Sequence, residues 1–158
     1  MDTNAIKAAH HLGCWNALRK NYKLHSVRLC VEEATRADKW GSKLVDRPEE
    51  ELAVELVLGQ VDDVARADLR LAIGNRNDVD EGEAELLAYA RSLPGRVWWL
   101  CGPDKGTVKA MNHLRLLDRM VALQSLAAAC GHTTSALPKN YTEKWLSDQR
   151  TSLLLEGL

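Results

Sequence analysis

The chain has no apolar run approaching the roughly 20 residues that cross a bilayer, and its start, Met1-Asp2-Thr3-Asn4, lacks the basic stretch followed by an apolar one that marks an export signal. A cytoplasmic protein without a membrane partner is expected. Neither sign of charge dominates: 21 Lys and Arg face 22 Asp and Glu. No global field announces a nucleic acid, so any such contact must come from a local patch. The cysteines, at 14, 30, 101 and 130, form no C-x-x-C pair, which excludes a zinc knuckle and a thioredoxin-like motif and leaves reduced, mostly buried thiols. His10-His11 with Cys14, and Cys130 with His132, have helical spacing, yet each group supplies fewer ligands than a structural zinc needs. The chain also lacks a G-x-x-x-x-G-K-[ST] phosphate loop, a D-x-D pair at Asp2, a persuasive nucleophilic triad, internal repeats and low-complexity segments.

What remains is 158 residues, 46% hydrophobic and 27% charged, the size and composition of one globular domain. Apolar spacing predicts a helix from Ala5 to Lys20 that is bent at Gly13, and a clearer one from Ser26 to Trp40. A helix opens at Asp46-Arg47-Pro48 and runs to about Leu58, with proline in its first turn. Val61 to Ala72 fits either period and reads as a short strand or loop before a helical turn. Gly74 to Asp80 is a loop. A helix follows from Asp80-Glu81-Gly82-Glu83 through Leu93. Val97-Trp98-Trp99-Leu100 is a continuous apolar run, within a strand from Arg96 to Cys101 expected to be buried on both faces. Helices from Asp104 to about Leu116, from Gln124 to Cys130 and in the tail from Tyr141 complete the reading, with a short apolar element at Met120–Leu123. Trp145, Leu146, Leu153 and Leu154 are available to dock the tail. The alternation implies a three-layer α/β/α sandwich on a small, mainly parallel sheet, in one domain whose residues 131–158 form a helical extension packed on it.

The acids of this chain fall unevenly on that frame. Asp104 stands just past the carboxyl end of the 96–101 strand, where open α/β sheets gather their ligands, although an ordinary helix cap would use the same residue. Asp2 occupies the same rim if Met1 ends a strand. Glu33 has Leu29, Cys30, Ala37 and Trp40 at helical neighbour positions, so it points along apolar surface, whereas Glu32, beside Arg28, Arg36 and Lys39, belongs to an ion-paired face. Glu83, with Leu86, Leu87 and Ala90 on its stripe, is placed the same way. A carboxylate facing the core is costly unless it is paired or bound to metal. Like charges about 4 Å apart repel by about 4 kcal/mol at an effective dielectric near 20, so four clustered acids call for a cation. Oxygen-only ligands select Mg²⁺ or Mn²⁺, which orients a water, favours its deprotonation and stabilises phosphoryl charge.

Asp2-Thr3-Asn4, Val31-Glu32-Glu33-Ala34-Thr35-Arg36, Gly82-Glu83-Ala84-Glu85 and Leu100-Cys101-Gly102-Pro103-Asp104-Lys105 resemble, in order, the acidic landmarks of PIN-domain proteins. The resemblance spans roughly residues 1–130. It implies an α/β/α nuclease fold and a Mg²⁺- or Mn²⁺-dependent endoribonuclease acting on single-stranded RNA, with Asp2, Glu33, Glu83 and Asp104 as metal ligands and catalytic acids. Many members are toxins held by an antitoxin, so an antitoxin protein and a second copy of the chain are candidate partners; a catalytically inactive scaffold is the alternative. Many relatives carry aspartate near Glu83, which makes Asp80 or Glu81 its substitutes. Lys105 and Thr107 are candidates to touch phosphate or a ligand water. Arg19, Lys20, Lys23, Arg28, Lys105 and Lys109 are the candidate RNA contacts, with Trp15 or Trp40 as stacking surfaces. One departure stands out. Relatives carry several apolar residues ahead of the first aspartate, and only Met1 precedes Asp2: either the start of the sequence is short, or the first strand is truncated and Asp2 is weakly held, which would weaken metal binding.

Overall fold

The computed structural model describes residues 1–36, 45–74, 78–93, 95, 97–133 and 137–156. Its first two helices are α1 (Thr3–His11) and α2 (Trp15–Asn21), separated at Gly13, whose φ of +69° is a backbone state open to glycine at no steric cost. The bend read from the sequence is therefore present. The chain then enters β1 (His25–Val27) and turns directly into α3 (Arg28–Thr35). Here the expected helix from Ser26 is corrected. The backbone of Ser26 and Val27 is in a parallel ladder, and the Ser26 hydroxyl donates to Met1 O at 2.8 Å. Residues 37–40 of that expected helix lie outside the described residues.

A second correction concerns the helix expected to reach Leu58. It is α4 (Glu49–Ala53) and stops early, because Val57, Leu58 and Gly59 form β2 (Val57–Gly59), paired in parallel with β1 in the register His25 to Val57. Long-range pairing overrides local periodicity here. The ambiguous 61–72 stretch is helical from Asp63 on, as α5 (Asp63–Ile73), with Val61 and Asp62 ahead of the helix and the Asp62 carboxylate capping it by accepting from Ala65 N at 2.7 Å. Of the loop expected from Gly74 to Asp80, residues 75–77 lie outside the described residues.

Helix α6 (Glu81–Arg91) begins with a reciprocal capping box: Asp80 accepts from Glu83 N and Glu83 accepts from Asp80 N. Then come α7 (Lys105–His113), α8 (Leu123–Ala129) and α9 (Glu143–Glu156), with Trp145 and Leu146 buried as expected, while Leu154 is exposed. The three cysteines 14, 30 and 101 are buried and Cys130 half-buried, all as free thiols.

Of the strand expected at 96–101, residue 96 lies outside the described residues, and 97–101 keep one parallel bridge, between Leu100 and Met120, without burial on both faces. Val97 and Trp99 are largely exposed; only Leu100 and Cys101 are buried. The chain is thus a mixed α/β structure, mostly helical, with a two-stranded parallel sheet among the described residues. Two apolar clusters accompany it. One joins α1, α2 and Leu123 with Val31 and Leu52, and the other joins α5, α6, α7 and α9 through Leu69, Leu87, Met111 and Trp145. No described helix is long and apolar enough to cross a membrane.

Candidate functional site

The first two residues tie distant pieces of backbone together. The Met1 ammonium donates to His25 O at 2.6 Å and Asp2 N donates to Cys101 O at 3.2 Å, so this segment bridges β1 and the 100–101 segment. Asp2 is 2% exposed, and its Oδ1 caps α1 by accepting from Ala5 N at 2.7 Å. The expectation of a weakly held Asp2 is corrected by these contacts, which fix its main chain and its carboxylate. Its other oxygen, Oδ2, is buried without a hydrogen-bond partner.

Around Asp2 the chain gathers acids from three other places. Thr3 donates its hydroxyl to Glu33 Oε2 at 2.7 Å, which links the second helical acid to the residue beside Asp2. Gly82 brings Glu33 close to the start of α6: a β-carbon there would lie 3.3 Å from Glu33 Oε2 and 3.6 Å from Asp80 Oδ1. Gly102 does the same beneath Asp2, where a β-carbon would lie 3.4 Å from Asp2 Oδ2. Asp104 caps α7 through Gly106 N at 2.6 Å, so the ordinary capping role is real.

The electrostatics tie the set together. Burial pushes the Asp2 carboxyl up to about 7; the Ala5 N–H and the Met1 ammonium oppose this, and the charges of Asp80 and Asp104 add to it. Burial likewise pushes Glu83 up to about 8, with Asp80 and Asp104 adding to the rise. The Thr107 hydroxyl approaches closely enough to ease that ionisation without the geometry of a full hydrogen bond, and Asp2 itself contributes a further small rise. The four acids named from the sequence, Asp2, Glu33, Glu83 and Asp104, therefore stand in one neighbourhood, and Asp80 joins them. Of the two substitutes for Glu83, it is Asp80 and not Glu81 whose charge reaches the others. The capping-box sequence Asp80-x-x-Glu83 was the signal for it.

Two features limit what the site holds in this arrangement. Asp2, Asp104 and Glu83 each spend oxygens on helix starts and Glu33 spends one on Thr3. Among the described residues, no three His, Cys, Asp or Glu side chains are grouped closely enough to hold one ion. That statement also covers His10, His11 and Cys14, and Cys130 with His132.

The candidate RNA contacts fare unevenly. Arg19 pairs with Glu55, Arg28 with Glu32 and Glu49, and Lys109 with Asp78, so three of the six cations are already held by carboxylates. Lys20, Lys23 and Lys105 are exposed. Trp15 is corrected as a stacking surface: it is 3% exposed and its Nε1 donates to Glu55 Oε2 at 2.7 Å. Trp40 lies outside the described residues. Glu55, which collects Trp15, Arg19 and Arg47, was missed in the sequence because its partners are distant in the chain.

No family model matches the chain, and neither a search of curated proteins nor one of solved structures returns a match.

Proposed function

We propose that the chain is a divalent-metal-dependent endoribonuclease of the PIN type, a three-layer α/β/α domain that hydrolyses phosphodiester bonds of single-stranded RNA at the Asp2, Glu33, Glu83 and Asp104 cluster. The observation that carries this reading is Asp2 Oδ2, an acceptor buried without a partner, in a neighbourhood where burial first, and the charges of Asp80 and Asp104 after it, hold Asp2 and Glu83 towards their neutral forms. A buried polar atom left unsatisfied costs about 1–3 kcal/mol, so it invites a ligand. The two apolar clusters, one formed largely with α1 and α2 and the other with α5 to α7, support the layered reading.

The donor set fits Mg²⁺ or Mn²⁺, since every candidate ligand is a carboxylate oxygen. Such an ion, when bound, polarises the phosphodiester and acidifies water near it. Asp2, Glu83 and Asp104, with Asp80 beside them, would hold it. Thr3 orients Glu33 by its hydrogen bond. Lys105, exposed next to Asp104, offers a cation to a phosphate of the RNA. An antitoxin protein is the partner this class of activity suggests.

A catalytically silent scaffold is the second reading. It is favoured by the lack, among the described residues, of three acids already grouped around one point. Titration calorimetry with Mn²⁺ and cleavage of an end-labelled single-stranded RNA separate the two. The nuclease reading expects saturable Mn²⁺ binding and metal-dependent products with 5′-phosphates, both lost in Asp104→Asn while the fold persists. Absence of binding and cleavage in the unaltered chain overturns the nuclease reading and favours the scaffold, and full activity in Asp104→Asn removes Asp104 from the site.

A further inference from the structure

Helix α5 presents two sides of opposite kind. Leu69 and Ile73 are buried in the second apolar cluster, and Arg66 reaches Glu85 of α6 at 3.1 Å, which together fix the rotation of the helix about its axis. The other side is open. At about 100° per residue, Val64, Ala67, Asp68 and Leu71 fall on one stripe along it. All four are exposed, Val64 to 68% and Leu71 to 82%. One exposed leucine is ordinary; two large apolar side chains a heptad apart on one line, with an alanine between them, make a seam of the kind that packs against another helix.

The order of residues on the stripe says what covers it. Large, small, acidic, large is nearly the same pattern read from either end. An antiparallel copy, turned about a two-fold axis between positions 67 and 68, lays Leu71 of each copy on Val64 of the other. It also brings the small Ala67 to the crossing, where the helices approach closest. The flanks choose the direction. Asp63 and Arg70 lie on one side of the stripe, both exposed; Asp63 leans on Arg66 of its own helix at 3.2 Å, and Arg70 has no carboxylate partner among the described residues. The antiparallel axis sets that side of one copy against the same side of the other, so Asp63 meets Arg70 of the second copy twice. A parallel pair would set Asp63 against Asp68 of the second copy, acid against acid. Asp68 opposes the antiparallel pair as well, since it faces its own copy near the axis, but that is one repulsion against two attractions.

We propose that the outer side of α5 is a self-association surface, which joins two copies of the chain in an antiparallel, two-fold contact through Val64, Ala67 and Leu71, with Asp63 of each copy paired to Arg70 of the other. One helix of about three turns per copy buries less than the about 1,200 Å² of a standard interface, so the pair belongs to the weak, dissociating class. The proposal stands apart from the nuclease reading, since α5 carries none of the acids of that site.

Sedimentation equilibrium of the full chain at low salt, up to millimolar concentration, tests it. The unaltered chain is expected to dimerise reversibly and Leu71→Asp to stay monomeric. Asp63→Arg should weaken the dimer about tenfold, Asp63→Arg combined with Arg70→Asp should restore it, and Asp68→Asn should tighten it about threefold. These side chains are exposed, so thermal melts of the variants should overlay that of the unaltered chain; Val64→Lys repeats the Leu71 test if Leu71→Asp alone melts lower. A chain that remains monomeric throughout overturns the surface, as does a dimer that survives both Leu71→Asp and Val64→Lys. A double charge exchange that fails to restore association overturns the antiparallel pairing.

Discussion

Asp2→Asn removes one ionisable oxygen and leaves the cap almost unchanged, because asparagine serves as well as aspartate at a helix start. In the metal-free fold, burial raises the Asp2 carboxyl from its ordinary 3.8 to about 7. A carboxyl raised in the folded state leaves stability intact below its unfolded pKa and diminishes it as the pH climbs towards the folded one. About three units at 1.4 kcal/mol each give a cost of about 4 kcal/mol once Asp2 is fully ionised. The asparagine amide must itself be buried, which costs about 2 kcal/mol at any pH, so the variant should gain about 2 kcal/mol at pH 8 and lose about 1 kcal/mol at pH 4.5, where the unaltered carboxyl is almost wholly neutral in the fold. For a chain of this length the gain at pH 8 is a Tm increase of about 4–8 °C. Thermal melts by circular dichroism in EDTA, at both pH values, read it directly. Saturating Mn²⁺ should reverse the order, since a ligand at a hundred times its Kd adds about 2.7 kcal/mol to the chain that binds it. A variant that melts at or below the unaltered chain at pH 8 in EDTA, or with the same offset at both pH values, refutes the claim that Asp2 is a buried charge awaiting a partner.

The remaining predictions concern the same site and its supports. With Asp2 and Glu83 raised to about 7 and about 8, Mn²⁺ binding at pH 7 should release between one and two protons, falling towards none at pH 9; calorimetry in buffers of different ionisation enthalpy measures this, and the affinity should rise from pH 6 to 9. Glu55→Gln should cost about 1–3 kcal/mol in urea melts, because the carboxylate accepts from Trp15, Arg19 and Arg47. Burial works to raise its pKa, but those three partners together hold it below the ordinary glutamate range, so its contribution is present at neutral pH and lost as the pH falls through that range and below. Gly59→Ala should cost roughly 1–3 kcal/mol, since a β-carbon would sit 2.3 Å from the Tyr89 ring; its chemical-denaturation midpoint checks this.

Local chemistry made much of this legible from the residues alone. Gly13 broke the first helix because its conformation costs glycine nothing, and Asp80 with Glu83 started α6 because their side chains satisfy the backbone groups beside them. The separation of Glu33 from Glu32 also followed from helical spacing: Glu32 pairs with Arg28, and Glu33 turns to Thr3. The burial of Glu83 followed from its stripe. Tertiary contact decided the rest. Val57–Gly59 looked helical until β1 supplied a partner for its backbone, and Arg96–Cys101 looked like a full strand, although among its described residues only Leu100 has a bridge. The orphaned Oδ2 of Asp2 could not be read from spacing, because it exists only where β1 and the 100–101 segment meet around residues 1 and 2. Sequence sets which backbone states and caps are cheap; which edges and charges come face to face depends on chain segments tens of residues apart, and only the folded packing brings them together.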